Sequence, residues 1–155
     1  MNIIMDLVTN RILVATVAAW FVAQFLKVLF DTIKNGFSVE RLTGSGGMPS
    51  SHSATVTGLV VSTAIVEGVG GFPFVMAMFF AIIVIYDAAG VRMETGREAQ
   101  VLNRLAKRDQ AEGKQPLNEK PLREKMGHTI SEIIVGMVLG GTVAAITCIL
   151  MQKLI

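Results

Sequence analysis

The chain has one cysteine, one tryptophan and one tyrosine among its 155 residues, and its 14 Lys and Arg exceed its 12 Asp and Glu by only two. A lone thiol, Cys148, forms no disulfide within the chain, and in its apolar stretch it is a packing residue. A formal net charge of +2 is too small to point to nucleic acid as a partner. The glycines of 44–50 are not followed by Lys-Ser/Thr, so they do not form a P-loop. Ser50 and Ser51 adjoin His52, but no G-x-S-x-G elbow surrounds them, and adjacent residues seldom reach nucleophile-to-base geometry. Two distant histidines, without a cysteine cluster or a His-Glu-x-x-His run, argue against zinc. No metal or cofactor is therefore expected.

Long uncharged runs are abundant instead. With 52% hydrophobic residues and a mean hydropathy of +0.56, the composition is that of an integral, multi-pass membrane protein. The length allows one domain, 1–155. Four segments are predicted as membrane helices, at about 11–33, 51–66, 74–91 and 129–151, giving an all-α bundle. The second is short, which predicts that the loop before it dips below the membrane surface against protein. Gly68, Gly70, Gly71 and Pro73 predict a tight turn between the second and third. Residues 1–10 carry no Lys or Arg and include Asp6, so the first helix is expected to be a span and not a cleaved leader.

The polar segment 92–128 is inserted between the third and fourth helices. Residues 94–107 within it are helix-compatible, with Val101, Leu102 and Leu105 on an apolar face, until Gly113, Pro116 and Pro121 break the pattern. The segment is expected to be an interfacial helix and loop, or a solvated connector. With four spans, twelve of the fourteen Lys and Arg fall on or near one side, leaving only Arg11 and Lys153 on the other. The positive-inside rule makes that side cytoplasmic and puts both termini outside.

Several polar residues interrupt the apolar helices. Gln24, Lys27, Asp31 and Lys34 share one face of the first helix, which must turn to protein or water because a lipid-facing charge costs roughly 2.5 to 3.5 kcal/mol. Asp87, near the end of the third helix, has Arg92 or Lys27 as natural ion-pair partners. His52 begins the second helix and His128 the fourth, both on the cytoplasmic side. The positive ends of both helix dipoles then face one surface and favour an anion. Glu132 lies one turn after His128, where a carboxylate can accept a hydrogen bond from the imidazole and orient it.

At "GGMPSSHSA", "YDAAGVR" and "GHTISE" the sequence resembles the divergent branch of the type 2 phosphatidic acid phosphatase family, related to acid phosphatases and vanadium-dependent haloperoxidases. The parent family carries Lys-x6-Arg-Pro, Pro-Ser-Gly-His and Ser-Arg-x5-His-x3-Asp. Lys34 and Arg41 have the first spacing, with Leu42 in place of proline and Lys27 a competing cation. Pro49 to His52, "PSSH", differs from the second at one position. Arg123, His128 and Glu132 approximate the third, with Leu122 for Ser, a gap one residue shorter and Glu for Asp; Lys125 competes with Arg123.

The resemblance implies that His128 attacks phosphorus, oriented by Glu132, while His52 protonates the leaving oxygen and later activates water. It implies that Lys27, Lys34, Arg41 and Arg123, with backbone N–H groups around Ser50 and Ser51, bind phosphate. Gly46 and Gly47 let backbone approach the anion, and Asp87 and Arg92 support the site. The expected activity is metal-independent hydrolysis of a lipid phosphate or diphosphate, isoprenoid ones included, at the cytoplasmic face of a bacterial cell membrane. The alternative is a non-catalytic protein that binds a phospholipid or another anion in the same pocket. A homodimer would complete a bundle smaller than the parent family's six helices, and Gly136 with Gly140 offers a small-xxx-small face for it or for internal packing.

Overall fold

A backbone crossing lipid must satisfy its own N–H and C=O groups, and every regular element among the described residues is a helix. The structure, a computed structural model, describes residues 2–36, 47–115, 120–124 and 126–154, without the side chains of Lys34 and Asn35. In chain order the helices are α1 (Ile3–Thr9), α2 (Arg11–Asn35), α3 (Ser51–Glu67), α4 (Phe72–Tyr86), a π-helical turn (Asp87–Val91), α5 (Arg92–Ala111) and α6 (Ile130–Leu154). Local chemistry sets their ends. The Asn10 side chain caps α2 by accepting from the N–H groups of Ile12 and Leu13, both at 3.0 Å. Ser50 caps α3 through Ser53 N–H at 3.3 Å. Gly68, at φ 81°, terminates α3, and Pro73 stands in the first turn of α4, so the expected turn between them is present.

Arg11–Ile33, Phe72–Ala111 and Ile130–Leu154 are long and apolar enough to cross a membrane. At 17 residues, α3 rises about 26 Å, less than the roughly 30 Å of a hydrocarbon core. The third apolar segment does not stop where the sequence predicts. It continues through the π-helical turn into α5, because no proline or turn sequence stands between Tyr86 and Arg92. The resulting run, Phe72–Ala111, has 40 residues and a length of about 60 Å, so its polar half extends beyond any single span.

α2, α3 and α6 pack on one another, and α4 packs on the outside of α3. The core is made of small residues repeating every fourth position. Ala15, Ala19 and Ala23 line α2; Ser50, Ala54, Gly58 and Ser62 line α3; Gly136, Gly140, Ala144 and Cys148 line α6. Lipid tails are as apolar as any side chain, so close backbone approach replaces the hydrophobic drive of a water-soluble core. A Cβ on Gly140 would collide with the Ala54 backbone, and one on Gly136 with the Ser50 carbonyl. Gly136 and Gly140 are thus covered by α3 of the same chain, and this face is internal packing rather than a face open to a second copy.

α3 and α6 run parallel to each other and antiparallel to α2. At one end Cys148 Sγ lies 3.9 Å from the Arg11 carbonyl. At the other, the starts of α3 and α6 converge with the Lys27 region of α2.

Candidate functional site

The two histidines meet at that second end. Ser50 fixes the first turn of α3 and delivers His52 as its second residue. His128 precedes α6, outside the span, and its backbone N–H donates to the Ala88 carbonyl of the π-helical turn at 3.1 Å. The ring centroids of His52 and His128 are 5.9 Å apart, with the planes inclined at 68°. Residue His128 is only 5% exposed, and among the described residues neither Nδ1 nor Nε2 has a hydrogen-bond partner. A buried imidazole with two unpartnered nitrogens has unused hydrogen-bonding capacity that an external group can take up. Burial holds its pKa below the ordinary imidazole value, and His52, Lys27 and Arg92 act in the same direction against the opposing carboxylate of Glu132. At neutral pH His128 is therefore the neutral base.

Lys27 continues the small-residue seam of α2 and is 8% exposed. Gly47, at φ 101°, lies against it: a Cβ there would stand 3.5 Å from Lys27 Cε. Asp87 pairs with Arg92, whose Nε donates to Oδ2 at 2.6 Å. Of the sequence-predicted residues, His128, His52, Lys27, Glu132, Asp87, Arg92, Ser50, Ser51 and Gly47 are gathered at this end. Arg41, Gly46, Lys125 and the side chain of Lys34 lie outside the described residues.

An open cleft of about 340 Å³ leads to His128. Gly47, Thr129 and Glu132 form one wall, Met93 and Gln100 of α5 another, and Glu124, Met126 and Gly127 complete it. Arg123 is exposed and does not line the cleft, because its neighbours Leu122 and Glu124 are the residues that engage α5.

Two hydrogen-bonding roles differ from expectation. Glu132 Oε2 accepts from Thr129 N–H at 2.9 Å and so caps α6, whereas His128 makes no side-chain hydrogen bond to it. A carboxylate three residues into a helix start finds the nearest unpaired N–H first. Ser50 N–H donates to the Glu132 carbonyl at 3.1 Å and so joins α3 to α6, while its hydroxyl is engaged with Ser53 in the first turn of α3.

Met93, Gln100, Glu124 and Asn103 escaped the sequence reading. They sit in a polar segment without a chemical motif, and only its helical periodicity hinted that residues 93, 96, 100 and 103 share a face.

A family profile described as the Divergent PAP2 family matches residues 8–143. The chain is also similar to an uncharacterized membrane protein of Bacillus subtilis (strain 168), YuiD, at 34% identity over 146 residues, covering 88% of this chain and 92% of that one. No solved structure matches it significantly.

Proposed function

The chain belongs to the divergent PAP2 family of membrane proteins, and from that premise we propose that it is a phosphatase acting on a lipid phosphate or diphosphate, isoprenoid ones included. The observation that carries this reading is the His52–His128 pair, with His128 buried, neutral and, among the described residues, unpartnered at both ring nitrogens at the end of a cleft.

The chemistry follows from what each group can supply. A ring nitrogen of neutral His128 attacks phosphorus as the bond to the leaving oxygen breaks, giving a phosphohistidine. His52, whose pKa is lowered by burial and by the Arg92 and Lys27 charges against the opposing Asp87, takes up a proton and then donates it to that oxygen, so the alcohol or phosphate leaves neutralised. His52, now a base, removes a proton from water as the water oxygen attacks phosphorus; the P–N bond breaks, phosphate departs and both histidines return to their first states. Lys27, with Arg92 beyond it, opposes the charge that grows on the phosphoryl oxygens. Glu132 acts by its field, favouring the positive charge that His128 gains in the first step. Groups of the chain itself fill every role. The apolar outer faces of α2 and α4, which include Phe25, Phe30, Phe79 and Phe80, suit a substrate that keeps its tail in lipid.

One observation favours a second reading. With Glu132 committed to Thr129 N–H, His128 lacks the oriented carboxylate that a phosphohistidine enzyme exploits, which suits a protein that binds a phosphorylated headgroup without turnover. Purified protein in detergent, given a panel of lipid phosphates and diphosphates, distinguishes the two. Phosphate release that falls at least a hundredfold in both His128→Ala and His52→Ala supports the enzyme. Saturable vanadate or phosphate binding with no release from any lipid would establish the binding protein instead.

A further inference from the structure

The segment that delivers His128 owes its position to a helix outside the packed bundle. Residues 122–124 and 126–127 run antiparallel to α5. Leu122 meets Asn103, the Glu124 carbonyl meets Gly96, Gly127 meets Met93, and His128 N–H reaches Ala88. Two of these contacts depend on absent side chains: a Cβ on Gly96 would stand 2.6 Å from the Glu124 oxygen, and one on Gly127 2.7 Å from Met93 N. Gly127 also adopts φ 77°, which favours glycine. The glycine contacts permit close approach, and the His128 N–H bond to the Ala88 carbonyl ties the segment from 122 to 128, here called the strap, at its far end, but neither fixes its register where it first meets α5.

Asn103 does. It is 7% exposed, and its carboxamide pairs with both main-chain groups of one residue: Nδ2 donates to the Leu122 carbonyl at 2.8 Å, and Oδ1 accepts from Leu122 N–H at 2.8 Å. Nδ2 also donates to Glu124 Oε1 at 2.8 Å. Among the described residues these are the only side-chain hydrogen bonds between α5 and the strap. A two-point pairing to one peptide residue discriminates against the neighbouring residues, as a ladder pair does in a sheet.

We propose that Asn103 is a positioning residue that locks the strap in register along α5 and thereby sets where His128 meets His52. A slip of one residue would move the chain by about 3.3 Å, more than half the 5.9 Å between the two rings. The catalytic consequence rests on the phosphatase reading; the structural one does not.

The chain has only two histidines, so isotope labelling gives two imidazole signals, assigned by His52→Gln. In the full-length protein, His128 is expected to titrate below the ordinary value and to show a ring-to-ring contact with His52. The titration is governed first by burial and then by the groups around it: Glu132, His52, Lys27 and Arg92. In Asn103→Ala the ring contact is expected to weaken and the titration to move toward the ordinary value, with the thermal melting of the bundle unchanged. Asn103→Asp keeps the acceptor for Leu122 N–H but loses both donors, and it serves as the second variant if Asn103→Ala does not fold. Its loss of ring contact should be at least as large, because the new carboxylate faces the Leu122 carbonyl and Glu124 Oε1, which can only accept.

If lipid phosphate is hydrolysed, kcat should fall about ten- to a hundredfold with KM nearly unchanged, as expected for a misplaced nucleophile beside an intact binding site. Unaltered His128 titration and ring contact in both variants would overturn the positioning role. Moved titration in a protein that hydrolyses nothing would sustain the role and remove only the phosphatase reading.

Discussion

His128 is costly to protonate where it stands. Its folded pKa lies below the unfolded value near 6.5, so the unfolded chain binds the proton more readily. The associated stability is fully present above pH 6.5 and is lost as the pH falls through the lower, folded value. Two measurements share this sign. Phosphatase activity should persist below pH 6.5 on its acid side, because the nucleophile stays neutral there. The melting temperature should then drop on further acidification, and His128→Gln should reduce that drop. An acid limb unchanged by His128→Gln, or a His128 titration above 6.5, would contradict the account. The site's residue types were legible in the sequence: "PSSH" and the His-x-x-x-Glu spacing pointed to His52, His128 and Glu132. Their hydrogen bonds were not. Whether a carboxylate caps a helix or holds an imidazole depends on an ångström of backbone placement, and residue spacing carries no such detail.

At the scale of the element, the apolar runs and their glycine and proline boundaries predicted α2, α3, α4 and α6 to within a few residues. The join between α4 and α5 was missed because a change from apolar to polar composition looks like an end, although helix formation needs only the absence of a breaker. The packing of α3 on α6 supports a paired test. Gly140→Ala places a methyl group into the Ala54 backbone and should destabilise the protein by about 1–3 kcal/mol. Gly141→Ala meets Val61 and Thr57 only at 3.5 and 3.6 Å, ordinary contact distances. It should be neutral or raise stability by up to about 1 kcal/mol through helix propensity. Denaturation in mixed detergent micelles checks both, and equal effects at the two positions would count against the seam.

For the whole molecule, the antiparallel arrangement gathers Lys27, both histidines, Arg92 and the basic α5 at one end. Charge counting along the sequence expected this grouping from four alternating spans; three of the helices are long and apolar enough to cross a membrane. We propose, on the positive-inside rule, that this end faces the cytoplasm. In a Cys148→Ala background, whose buried thiol is replaced by a small residue, Gln110→Cys should react with a membrane-impermeant thiol reagent only after the cells are opened. Labelling in intact cells would invert the orientation.

Lys27 stands at the end of a series, Ala15, Ala19, Ala23 and Lys27, one residue per turn. Its burial is therefore a matter of phase as well as chemistry. A single residue inserted between Ala15 and Lys27 would leave the length and hydropathy of the span almost unchanged. It would also turn everything beyond it by about 100° and swing the ammonium from the core toward lipid, at a cost of roughly 2.5 to 3.5 kcal/mol. The residues of α2 that look least informative, alanines spaced one to a turn, are the ones that aim the charge.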